Sequence, residues 1–321
     1  MNDLDSLSIA QEALPRVLFV DDEERILRTM KALFRTKYEV LTTTDGYIAL
    51  EYMKQNHIHV VVSDQRMPRL TGVEFLRHAK VISPNTLRML LTGYSDLAAI
   101  VGSINDGEVF RFIHKPWDND DIRKTIQDAV EVALKLEASE RPGARLLPDE
   151  NLPSMEDNIL IVSPFRPLNE EVTKLAAGRC PTLRAKSLRE VLTILQISPV
   201  GVIVAELYPG HEDITLFLKL LKQLHPQIVT VLVSPTMDAE LAISLINQAQ
   251  VFRLLVPPIT TELLRTAIGL AVHHYLTFKS MPERVQMHKV APMPQARQQS
   301  IASWMLEGLR SLPARLGLRR A

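Results

Sequence analysis

Hydrophobic and polar positions along the chain fall into two alternating patterns. Short apolar runs such as RVLFV (16–20) and HVVVS (59–63) are separated by longer stretches with apolar positions at helical spacing. After the first run, Ile26, Leu27, Met30, Leu33 and Phe34 fall at i, i+1, i+4, i+7 and i+8, one buried face of a helix. The same reading predicts strands at 16–20, 39–43, 59–63, 86–92 and 109–113. Helices are predicted between them, including 95–105, with a last one over 119–136 that Asp118 or Asn119 can cap. Runs that are apolar throughout belong to strands buried on both faces. Five strands interleaved with five helices predict a parallel sheet covered on both sides, an α/β domain of (βα)5 type over 15–136.

The pattern repeats over 158–278, with strands at 158–162, 182–185, 201–205, 228–233 and 251–255. At a shift of 142 residues, Pro84 coincides with Pro226, Asp96 with Asp238, and Ile104–Asn105 with Ile246–Asn247. Val109–Phe110–Arg111 coincide with Val251–Phe252–Arg253, and Pro116 with Pro258. Met67–Pro68 match Tyr208–Pro209 at a shift of 141, which implies one residue gained or lost between those points. Two copies are too few for a solenoid, so tandem duplication of one domain is expected. Residues 137–157, charged and with three prolines, read as a linker. The tail, 279–321, is expected to be largely disordered. Within it, SIASWMLEGLRSL is expected as a short helix with Ile301, Trp304, Met305, Leu309 and Leu312 on one side, ended or kinked by Pro313.

Composition narrows the class. The 321 residues carry 37 Lys+Arg against 37 Asp+Glu. No stretch approaches the ~18 consecutive apolar residues of a membrane span. The acidic, polar start lacks the layout of a secretory signal. The single cysteine, Cys180, excludes an internal disulfide and a Cys-rich zinc site, and a cytoplasmic location is expected. Zero net charge argues against bulk nucleic-acid binding. The charge is uneven, however: 279–321 hold eight Lys/Arg against two Glu, a basic tail on an acidic body.

In an open parallel sheet, functional groups collect at the carboxyl ends of strands. Here those ends carry Asp21 and Asp22, Asp64, Thr92 and Lys115. Converging carboxylates repel one another unless a cation sits among them. A hard divalent ion with oxygen ligands, such as Mg2+, resolves the conflict. A hydroxyl and an ammonium facing the same point suit a group with several anionic oxygens. The set describes a phosphoryl site with an aspartate nucleophile.

The motifs FVDDE (19–23), VVVSDQRMP (60–68), LLTGYSD (90–96) and FRFIHKPW (110–117) make 16–136 resemble a response-regulator receiver domain. The resemblance implies a flavodoxin-like fold with sheet order 2-1-3-4-5. It implies that Asp64 accepts a phosphoryl group from a sensor histidine kinase. Asp21, Asp22, Asp64 and the main-chain carbonyl of Arg66 would hold Mg2+. Thr92 and Lys115 would bind phosphoryl oxygens, and Phe112 would be the aromatic that turns inward on activation. No enzymatic activity is implied beyond self-catalysed phosphotransfer and dephosphorylation. Output through a downstream protein, with a homodimer as one form, is the expectation.

In the second copy Asp21–Asp22 align with Ser163–Pro164, Asp64 with Ala205, Thr92 with Ser234, Phe112 with Leu254 and Lys115 with Pro257. Glu206 is adjacent to Ala205, but one step along a strand reverses the side chain, so it is not counted. The second copy therefore resembles a degenerate pseudo-receiver, a binding or dimerisation module. In the last helix of the first copy, Ile122, Ile126, Ala129, Ala133 and Leu136 form a seam. The first three are expected on their own sheet, with Ala133 and Leu136 reaching the second copy or another protomer. The competing reading is an effector acting through its tail on DNA or a membrane, where Trp and Leu flanked by Arg suit an interface helix.

Overall fold

Two five-stranded parallel sheets organise the chain in a computed structural model that describes residues 14–93, 101–102, 109–138, 152–207, 212–235, 237–280, 285 and 303–312. The first sheet contains β1 (Arg16–Val20), β2 (Glu39–Thr43), β3 (Val60–Asp64), β4 (Leu87–Thr92) and β5 (Arg111–His114), in the order β2-β1-β3-β4-β5. Its described helices are α1 (Glu24–Phe34), α2 (Gly46–Gln55), α3 (Gly72–Ile82) and α4 (Asn119–Ala138). The helix expected over 95–105 lies, except for 101–102, outside the described residues, as does most of the expected linker.

Strand alternation divides the core. Val17 and Phe19 share one apolar cluster with Leu27, Met30 and Phe34 of α1 and with Ile122, Ile126 and Ala129 of α4. Leu18 and Val20 face the other way, clustering with Ala49, Met53, Phe75 and Leu76 of α2 and α3. Ala133 belongs to the first of these clusters. The expectation that it reaches beyond its own domain is therefore corrected: α4 is long enough for its fourth turn still to cover the sheet. The side chain of Leu136 lies outside the described residues.

The second sheet contains β6 (Asn158–Val162), β7 (Thr182–Ala185), β8 (Val200–Glu206), β9 (Val229–Val233) and β10 (Arg253–Leu255). Its order, β10-β9-β8-β6-β7, is that of the first sheet with every index raised by five and read from the other edge. The helices α5 (Arg166–Ala176), α6 (Leu188–Ile197), α7 (Glu212–Leu224), α8 (Ala239–Ala249) and α9 (Thr261–Ser280) accompany it. Both halves carry a cis X–Pro bond after their last strand, Lys115–Pro116 and Pro257–Pro258.

The tail helix, α10 (Ser303–Arg310), lies on this second half. Met305 and Leu309 are fully buried, and Leu312 nearly so. Gly308 lies close against α6: an added Cβ would stand 2.7 Å from a Leu192 methyl, which would have to shift. The Leu309 carbonyl lies 2.8 Å from Nε2 of His225. This packing speaks against the competing reading of the segment as a membrane-interface helix. The residues that would enter a membrane interface are already spent on the protein's own core. Among the described residues no helix is long and apolar enough to cross a membrane.

Candidate functional site

The strand ends of the first sheet bring Asp21, Asp64, Thr92 and Lys115 to one cleft. Asp64 closes β3, and a tight passage into α3 holds it there. Gly72 opens α3 so close to β3 that an added Cβ would stand 2.2 Å from the Asp64 carbonyl oxygen. Thr71 caps α3 reciprocally: its hydroxyl accepts from the Glu74 N–H, and the Glu74 carboxylate accepts from the Thr71 N–H at 3.0 Å.

Asp21 and Asp64 are almost fully buried, 2% and 6% exposed. The ammonium of Lys115 donates to Oδ2 of Asp21 at 2.9 Å and to Oδ1 of Asp64 at 2.5 Å. The remaining oxygens accept main-chain N–H groups: Asp21 Oδ1 from Glu23 at 2.9 Å and Asp64 Oδ2 from Arg66 at 2.5 Å. Burial raises the Asp21 carboxyl above its ordinary range, against the lowering bond from Lys115. Burial pulls the Lys115 ammonium down, but the bonds to Asp64 and Asp21 outweigh it and hold the pKa above the usual lysine value. One lysine thus neutralises one of two buried carboxylates, with exposed Asp22 adding a further negative charge. This excess of hard oxygen donors fits a divalent cation such as Mg2+.

Thr92 is buried, with its hydroxyl donating to the Gly93 carbonyl at 3.1 Å. Phe112 is 3% exposed and clusters with apolar residues of both halves. Arg66 is exposed, its N–H bound to Asp64.

The second half has a different cleft, and its register corrects the sequence alignment. In the first sheet Val20 pairs with Ser63, which puts Asp64 one step beyond. In the second, Val162 pairs with Ala205, which puts Glu206 one step beyond. Asp64 lies opposite Leu91 and Glu206 opposite Val233, so the 142-residue shift holds along both strands. Glu206, not Ala205, is the counterpart of Asp64, and Ala205 matches Ser63. Alternation along β8 therefore places Glu206, rather than Ala205, on the cleft side. Ser163 stands at the Asp21 position, and its hydroxyl donates to the Glu206 carboxylate at 2.5 Å. Ser234 is fully buried at the Thr92 position, Leu254 is buried at the Phe112 position, and Pro257 replaces the lysine. Pro164 stands exposed where the first half has Asp22.

Sequence reading missed one further cluster. His57 and His59 precede β3 and meet Glu137 near the end of α4, with their ligand atoms within 4.8 Å of one another. Nδ1 of His59 accepts the Arg16 N–H at 3.0 Å, so the ring proton sits on Nε2, 3.4 Å from Glu137. That tautomer makes His59 a donor to the carboxylate and leaves no lone pair on Nε2 for a metal. The cluster fastens the end of α4 to the sheet.

Residues 17–127 match the response regulator receiver domain family. The hydrogenase transcriptional regulatory protein HoxA of Bradyrhizobium diazoefficiens is 31% identical over 127 residues, 40% of this chain and 26% of its own. HoxA of Cupriavidus necator is 35% identical over 115 residues, 36% of this chain and 24% of its own. The match thus spans about a quarter of those regulators. Sporulation initiation phosphotransferase F of Bacillus subtilis is 30% identical over 125 residues, 39% of this chain and 97% of that protein. Through its N-terminal half, the chain belongs to the response regulator receiver family.

Proposed function

We propose that the N-terminal half is a Mg2+-dependent phosphoacceptor and the second half a receiver-like module that takes no phosphate. In this reading Asp64 receives a phosphoryl group from a sensor histidine kinase. A carboxylate oxygen of Asp64 attacks phosphorus, the N–P bond of the phosphohistidine breaks, and the imidazole leaves with the bond's electron pair. The observation that carries the reading is the Lys115 ammonium lying between two buried carboxylates, one of them at the open end of β3. Asp21, Asp22 and Asp64, with the Arg66 carbonyl, would hold the cation, which when bound supplies charge neutralisation for the incoming anionic oxygens. Lys115 moves with the developing charge, and Thr92 turns its hydroxyl from Gly93 toward the new oxygens.

The second half keeps the sheet order and the cis X–Pro bond, but it has Ser163, Pro164 and Pro257 in place of two acids and the lysine. The Glu206 carboxylate at the end of β8 is engaged by Ser163. The module would serve binding or dimerisation, and the protein would act in the cytoplasm through other proteins.

Incubation of the full chain with a small phosphodonor and Mg2+, read by intact mass, tests this. Wild type should gain one phosphate, and Asp64→Asn none; uptake by Asp64→Asn refutes the assignment.

A further inference from the structure

The outer edge of the first sheet is β5, and an edge strand presents unpaired N–H and C=O groups that a protein must cover. Here the cover comes from the second half of the same chain. The side chain of Asn247, on α8, meets the Phe112 peptide groups twice. Its Oδ1 accepts the Phe112 N–H at 2.9 Å, and its Nδ2 donates to the Phe112 carbonyl at 3.0 Å. A carboxamide carries one acceptor and a donor side by side, so it pairs with a strand as a neighbouring peptide does. Three residues on, Gln250 Nε2 donates to the Phe110 carbonyl at 3.1 Å. Gln250 ends α8 in the left-handed region, at φ 46°, and is buried. Apolar contact seals the pair: Val109 and Phe112 share one cluster with Leu245, Ile246 and Ala249.

This clasp is built on the strand that leads into the cleft. Lys115 follows β5 directly, and β5 is registered to β4 with Thr92 opposite His114 and Leu90 opposite Phe112. Phosphorylation replaces the single negative charge of the Asp64 carboxylate with about two, carried on the phosphoryl oxygens. Lys115 and Thr92 can meet them only by moving, and both sit at the ends of the strands that position the Phe112 peptide. The two bonds of Asn247 tolerate little displacement, because hydrogen bonds weaken steeply with distance and angle.

We propose that the β5 edge is where the state of Asp64 is read, and that its reader is the chain's own second half, held by Asn247 and Gln250 and loosened when Asp64 is phosphorylated. The proposal rests on Asp64 being the acceptor.

Amide hydrogen exchange on the full chain tests it, with Mg2+ and beryllofluoride as the phosphoryl mimic. In wild type the mimic should slow exchange around 60–66 and speed it at 110–113 and 239–250. Without the mimic, Asn247→Ala should speed exchange at Phe112 about tenfold, the effect of one lost hydrogen bond. Asn247→Leu, close in shape but with neither acceptor nor donor, should do so in the same direction, separating the bonds from packing. Faster exchange in neither variant overturns the clasp. Slowing at 60–66 with no change at 239–250 overturns the coupling alone. No response at 60–66 means the mimic does not bind; that overturns both the coupling and the Asp64 reading, whereas the Asn247 variants still decide the clasp.

Discussion

At the end of β1 the first half carries Asp21, and at the end of β6 the second half carries Ser163. One step beyond the same register pair stand Asp64 and Glu206. The first carboxylate is bridged by a lysine to a second acid, while the other is satisfied by a serine hydroxyl at 2.5 Å. The difference is one of charge. In the first half two buried acids share one ammonium, so negative charge is left over, which suits a cation. In the second, among the described residues, the acid at the end of β8 is hydrogen-bonded by a neutral donor, and position 257 holds a proline in place of the lysine. The same strand order and register thus carry an acid pair bridged by a lysine in one half and an acid bonded to a serine in the other, according to three or four side chains.

The comparison can be tested at several points. The largest effect is expected at α10, which among the described residues has no counterpart on the first half. Leu309→Ala removes a fully buried side chain and should cost about 2–4 kcal/mol of stability in denaturant unfolding. Phosphate uptake at Asp64 should be unchanged by it. At Gly72 the first half depends on a close approach to Asp64. Gly72→Ala forces the α3 entry away from the Asp64 carbonyl, and it should cost about 1–3 kcal/mol and slow phosphate uptake.

The smallest effect concerns Lys222, whose counterpart Lys80 is only partly buried. Lys222 donates to the carbonyls of Pro226 and Ile228, and burial pushes its pKa from 10.5 down to about 7. Above pH 7 the folded chain therefore binds fewer protons than the unfolded one, so stability rises with pH from 7 toward 10.5. Unfolding should show a gain of about 1 kcal/mol between pH 7 and pH 8. Lys222→Met should flatten it.

Much of this arrangement was legible in the sequence, because burial dictates periodicity. The apolar runs located the strands, and the i, i+4 spacing located α1 and α4. The residues at the strand ends named the first cleft. The Glu206 position was not legible, because a one-residue offset in a loop motif carries no sign of where along the chain it begins. Strand pairing settles it, since each side of a pair must keep step with the other. Ala133 was misplaced because periodicity alone does not say where a sheet ends beneath a helix. The Asn247 clasp follows no period: an amide pairing with a peptide group depends on where another domain's edge strand lies. The one trace is the coincidence of Ile104–Asn105 with Ile246–Asn247, which by itself signals only duplication.

The central claim is that one half is chemically competent and the other is not. Peptide-resolved mass spectrometry of the full chain, after treatment with a small phosphodonor and Mg2+ and trapping with borohydride, tests it most directly. Borohydride reduces an acyl phosphate to an alcohol, so aspartyl phosphate is recorded as homoserine. The account predicts this reduction at Asp64 and none at Glu206. Reduction at Glu206, or an unmodified Asp64 beside another labelled acid, would contradict it.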